Sequence, residues 1–138
     1  MAWNCKIMVI QVFDAYGNGT WPAFYHGVEY AVDYQINNPT KKVVINYSGG
    51  EGTSPVLQAE DAVKYAYDNG VFMSIGAGND HGKPVYYPSR YAGYGTYTGH
   101  TNGYSNVTCV TATDQDDSYS LYSCRVLKSA SLRQVAGE

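Results

Sequence analysis

Apolar and polar positions alternate between two rhythms along this chain. Lys6-Ile-Met-Val-Ile-Gln-Val-Phe13 is an almost unbroken apolar run, the form expected of a strand covered on both faces. The glycine-rich loop Asp14-Ala-Tyr-Gly-Asn-Gly19 follows it. Thr20 then offers a helix cap and Pro22 suits a first turn. Ala23, Phe24, Gly27, Val28, Ala31 and Val32 recur at three-to-four spacing, which predicts a helix over about 22–36. Lys42-Val-Val-Ile-Asn-Tyr47 predicts a second strand, ending at Ser48-Gly49-Gly50. Ser54-Pro55 opens a second helix that Asn69-Gly70 closes. Val71-Phe-Met-Ser-Ile-Gly-Ala-Gly78 predicts a third strand and Val107-Thr-Cys-Val-Thr-Ala-Thr113 a fourth. The order β-α-β-α-β-loop-β predicts an α/β fold with a parallel sheet and helices on its faces.

Composition narrows the function classes. The 138 residues carry a net charge of −3 with no basic stripe, so nucleic acid is not an expected partner. No apolar run reaches 18 residues, so no membrane-spanning segment is expected. The first residues lead almost directly into the first strand, so no signal peptide is expected on this chain. Cys5, Cys109 and Cys124 lack zinc-site spacing and read as ordinary thiols, with one disulfide as the alternative. The sequons at Asn18, Asn46 and Asn106 matter only in a secreted chain.

In open parallel sheets, ligands sit beyond the carboxyl ends of the strands. Three of those ends are glycine-rich here: Gly17-Asn18-Gly19, Ser48-Gly49-Gly50 and Gly76-Ala77-Gly78-Asn79. Small residues let a ligand approach backbone N–H and C=O groups closely. This pattern alone does not separate a peptide site from a nucleotide site.

The same segments, in the same order, resemble the middle of the subtilisin-like serine protease family. Lys6 to Gly19 is similar to the strand and edge segment that pairs with bound peptide, and Gly27-Val-Glu-Tyr-Ala31 to the helix after it. Val44-Ile-Asn-Tyr-Ser48-Gly49-Gly50 resembles the strand into the family's Ser-Leu-Gly-Gly segment, although this chain lacks the Leu. Asn69 to Asn79 is similar to the strand ending in Ala-Gly-Asn. Tyr87-Pro-Ser-Arg-Tyr91 and Asn106 to Asp114 resemble the Tyr-Pro-Ala segment and the strand beyond it. The resemblance covers residues 5–123; residues 124–138 form a tail that does not share it.

The resemblance implies a partial three-layer subtilisin-like fold with about four strands and two helices. It implies Asn79 as the oxyanion donor, and Ser48, Gly49 and Gly50 as one wall of the substrate pocket. Gly76, Ala77 and Gly78 would form the other wall, with Gly17, Asn18 and Gly19 pairing to an extended peptide or protein substrate. No cofactor or metal is expected on this segment; calcium enters only through the resemblance, and Asp80, Asp114, Asp116 and Asp117 read as solvated loop carboxylates. The resemblance also implies an extracellular setting, on which the residues themselves are silent.

The family's catalytic Asp, His and Ser motifs find no counterpart in this sequence. Asp14, His26 and Ser54 imitate their order, but His26 lies inside the first predicted helix and Ser54 precedes Pro55 in a capping position. His81 and His100 read as solvated loop residues. The expected function is therefore a segment of a subtilisin-like endopeptidase that is inactive alone. A non-catalytic peptide-binding module and a small nucleotide-binding domain are the alternatives; the latter lacks Gly-x-Gly-x-x-Gly after its first strand. In the family's sheet the Asp-bearing strand lies between those matching residues 6–13 and 42–47. A gap with unpaired backbone is expected there.

Overall fold

The computed structural model describes residues 4–92 and 103–125. Helix α1 spans Trp21–Asn37, strand β1 Val44–Tyr47, helix α2 Leu57–Asp68, strand β2 Phe72–Gly76 and strand β3 Val107–Val110, with a 3-10 turn at Ser89–Tyr91. The three strands form one sheet in the order β1-β2-β3. Both pairs are parallel, with Val44 beside Phe72 and Met73 beside Val107.

Local chemistry sets the helix ends. The Thr20 hydroxyl accepts a hydrogen bond from the Ala23 N–H at 3.2 Å, and Pro22 sits where no intrahelical donor is needed. At the end of α2, Gly70 takes φ +66°, the Gly70 N–H donates to Tyr67 O and the Val71 N–H to Ala66 O. These paired bonds stop the helix and deliver the chain straight into β2. The start of α2 departs from expectation. Ser54 makes no cap; the helix begins at Leu57, and the Tyr91 hydroxyl bonds both the N–H and the carbonyl of Val56 instead.

Both helices cover one face of the sheet. Phe24, Val28 and Val32 of α1 join Ala59, Ala62, Val63 and Ala66 of α2 over Met73, Ile75 and Val107, all buried. Small alanines let the two helices pack closely. Gln35, 7% exposed, ties the layers together: its amide donates to Asn69 O and its oxygen accepts from the Val43 N–H.

The first expected strand, over residues 6–13, does not form. Among the described residues, 5–12 join no ladder, and Phe13 makes only an antiparallel bridge to Gly19. Ile10 and Val12 rest against Gly27 of α1, whereas Ile7 and Val9 are 90% and 87% exposed. An apolar run becomes a strand only when a neighbour accepts its backbone bonds, and none stands beside this one among the described residues. This segment does not pair with β1 among the described residues. The third layer is likewise absent among the described residues. The sheet face away from the helices carries Val44, Phe72 and Val110, all exposed.

Candidate functional site

The expected walls meet where β1 and β2 end. Tyr47 pairs with Ile75, which sets Ser48 beside Gly76; the Ser48 Cα lies 4.0 Å from where a Gly76 side chain would begin. Gly49 is crowded by the Phe13 and Tyr47 rings. Gly50 takes φ +152°, and the Tyr87 carbonyl occupies the space a Cβ would need. The Glu51 N–H donates to Tyr87 O at 3.0 Å and the Tyr87 N–H to Gly52 O at 3.2 Å. These glycines therefore serve close approach of the chain to itself.

On the other wall, Gly76 ends β2 and Ala77 is buried, its N–H donating to Val110 O. The Ala77 carbonyl accepts from Tyr86 N and the Gly78 carbonyl from Cys124 N. Gly78, at φ +106°, lies against the Tyr86 ring and the Cys124 sulfur. Asn79 follows, exposed, and no hydrogen bond engages its side chain among the described residues. The next residue anchors the turn. Asp80 accepts from the Tyr86 hydroxyl at 2.6 Å and pairs with the Lys83 ammonium at 2.8 Å. Those two donors, Lys83 first, hold its carboxyl below the ordinary value, while the same bond pushes Tyr86 up to about 12.

Gly17, Asn18 and Gly19 close a tight exposed loop. Gly17 takes φ +82°, the Asp14 N–H donates to Asn18 O, and Asp14 Oδ1 accepts from the N–H groups of Tyr16 and Asn18. These bonds, the one from Asn18 foremost, hold the Asp14 carboxyl low. The imitation triad is not assembled. Asp14 is engaged within its own loop, His26 pairs with Glu29 on the exposed side of α1, and Ser54 is exposed in the approach to α2.

One support was not singled out from the residue types. Ser89, fully buried, donates from Oγ to Ile75 O at 3.2 Å, so Tyr87-Pro88-Ser89 fastens the 50–52 stretch and the end of β2 together. A buried serine after Tyr-Pro was its only signal. Cys5, Cys109 and Cys124 are all free, and burial pushes the Cys109 thiol up. No group of three acidic, His or Cys side chains converges among the described residues, and Asp116 is turned onto Ser118. His100 and tail residues 126–138 lie outside the described residues.

Comparison with known proteins gives one consistent answer. The model of the subtilase family matches residues 1–134. Thermitase of Thermoactinomyces vulgaris is 32% identical over 120 residues, covering 87% of this chain and 36% of that protein. The minor extracellular protease Epr of Bacillus subtilis is 27% identical over 121 residues, covering 87% and 16%. Among solved structures, Sphericase superposes with a TM-score of 0.65 at 24% identity, over 83% of this chain and 34% of that one. The S41 psychrophilic protease gives 0.62 at 30% identity, with the same coverage. The chain spans about a third of the length of Thermitase and of both solved structures.

Proposed function

The chain belongs to the subtilase family, and from that membership we propose that it is a segment of a subtilisin-like serine endopeptidase that carries Asn79 as oxyanion donor, engages an extended peptide or protein substrate along the strand ends, and is inactive as the isolated chain. The observation that carries this proposal is the placement of Asn79. Its carboxamide is exposed and unengaged among the described residues, directly beyond β2, on a turn braced by Asp80, Lys83 and Tyr86. A carboxamide N–H aimed from a fixed turn can donate to a carbonyl oxygen as it becomes negative during acyl transfer. Ser48 and Gly76 lie side by side just before it, as facing walls of one cleft would.

Hydrolysis needs two further groups, a nucleophile and a base within hydrogen-bond reach of it. Asp14, His26 and Ser54 do not supply them in this proposal: the first two are bonded to other partners and Ser54 bonds to neither. An oxyanion donor without a nucleophile polarises a carbonyl but cannot attack it.

The test is hydrolysis of a chromogenic peptide by the purified chain, together with labelling by a serine-directed fluorophosphonate. Neither turnover nor labelling is expected. Turnover and labelling that both disappear in Ser54→Ala would overturn the proposal and restore the imitation triad. Affinity for extended peptides without turnover would support the substrate-engaging part.

A further inference from the structure

Asparagine is followed by glycine at Asn18-Gly19, Asn69-Gly70 and Asn102-Gly103. With no Cβ on the glycine, its backbone nitrogen can reach the side-chain carbon of the asparagine before it. Whether the two meet depends on what else holds them. At Asn69 both are held. The Asn69 carboxamide donates to Tyr65 O at 2.9 Å, the Asn69 carbonyl accepts from Gln35, and the Gly70 N–H donates to Tyr67 O at 3.1 Å. At Asn18 the bonds fall elsewhere. The loop is closed through the Asn18 N–H and carbonyl, which both bond Asp14. The Gly19 N–H makes no hydrogen bond among the described residues. The Asn18 side chain is exposed, and its amide has only a 3.4 Å contact to Asp14 Oδ2. Asn102 lies outside the described residues.

We infer that Asn18 is a site of spontaneous modification, converting to aspartate and isoaspartate through a cyclic imide while Asn69 stays intact in the folded chain. The Gly19 nitrogen bonds to Cγ of Asn18 and gives up its proton to solvent. The bond from Cγ to Nδ2 breaks, the departing nitrogen takes up a proton, and ammonia leaves. Water then adds to one of the two ring carbonyls and breaks its bond to the ring nitrogen. Opening at one carbonyl gives aspartate and at the other isoaspartate. Nothing is oxidised or reduced, and water is the one co-reactant. The aspartate product sets a second carboxylate where a neutral donor faced Asp14, and like charges at that spacing repel.

Peptide mapping with isoaspartate detection, after incubation of the native chain at mildly alkaline pH, tests this. Two hydrogen bonds must open before Asn69 reacts, and each slows it by roughly fivefold, so Asn18 should convert at least about twentyfold faster. In guanidinium the two sites should convert at similar rates, because both precede glycine. Asn18→Gln should remove the modification from the loop and leave Asn69 as it was. Native rates within a few-fold of each other would overturn the inference, as would faster conversion at Asn69. The same preference for Asn18 in guanidinium would also overturn it, because the difference would then belong to the flanking residues and not to the fold.

Discussion

The hydroxyl of Tyr86 donates to the carboxylate of Asp80 at 2.6 Å, closing the turn that follows Asn79. The bond favours ionised Asp80 and neutral Tyr86. Asp80 is held below its ordinary value of 3.8, so its contribution is present above that pH and lost as pH falls through the lowered value. Tyr86 is raised from 10.0 to about 12, so its contribution is present below pH 10 and lost as pH rises through about 12. The difference in urea midpoint between wild type and Tyr86→Phe should therefore be constant from about pH 5 to 9 and shrink on both sides. A difference that does not change with pH would mean that the ring, not the hydroxyl, braces the turn.

Gly50 and Gly52 separate two reasons for a glycine. Both have positive φ, +152° and +65°, but only Gly50 has the Tyr87 carbonyl where a side chain would start. Gly52→Ala meets open space and should cost about 1–2 kcal/mol from backbone conformation alone. Gly50→Ala adds a clash with backbone that Glu51 and Tyr87 bond in place, and should cost about 3 kcal/mol or more. Denaturant unfolding of both variants gives the comparison, and equal losses would show that the 50–52 stretch yields.

The order of elements was legible because each had a local signal. Thr20 and Pro22 start α1, Gly70 ends α2, and short apolar runs mark β1, β2 and β3. Residues 6–13 carried as strong a strand signal as any of these, yet no ladder forms. Apolarity reports a tendency to be buried, whereas strand pairing depends on a neighbour that periodicity cannot see. The glycine-rich strand ends were legible in the same partial way. Gly49, Gly50 and Gly78 do mark close approaches, but Phe13, Tyr87 and Tyr86 make them, from positions remote in sequence or, for Tyr86, across a turn. Residue type announces that space is needed, not what fills it. Asn79 stood out only through resemblance, since an exposed asparagine after a strand is ordinary turn chemistry.

The three thiols should separate by accessibility. Cys5 is exposed, Cys109 half-buried with its pKa raised chiefly by desolvation, and Cys124 buried. The thiolate is the reactive form, so a buried thiol with raised pKa reacts slowly near neutrality. A colorimetric disulfide reagent should titrate about one thiol per native chain within minutes, and all three after unfolding in guanidinium. Cys5→Ser should abolish the fast phase. Fast reaction of a second thiol would show that the Ala77–Val85–Cys124 cluster opens readily.

Gln35 offers the sharpest test of how the layers are joined, because its two bonds have opposite polarity. The amide donates to Asn69 O at 3.0 Å and the oxygen accepts from the Val43 N–H at 2.9 Å, linking the end of α1 to the entry of β1 and the close of α2. Gln35→Leu leaves both backbone groups without their partner and should cost about 2–4 kcal/mol, below the roughly 2–6 expected of two fully buried groups because both are only part-buried. Gln35→Glu keeps the acceptor but can donate to Asn69 O only when protonated. Burial and that carbonyl both favour the neutral acid, so its folded pKa lies above the ordinary glutamate value of about 4.3. The protonated variant should approach wild-type stability below that pH and lose it as pH rises through the folded pKa, ending near Gln35→Leu. Urea unfolding at pH 4 and pH 7 decides the matter. A glutamate variant equally stable at both values would mean that the Asn69 carbonyl finds another donor and that Gln35 holds only Val43.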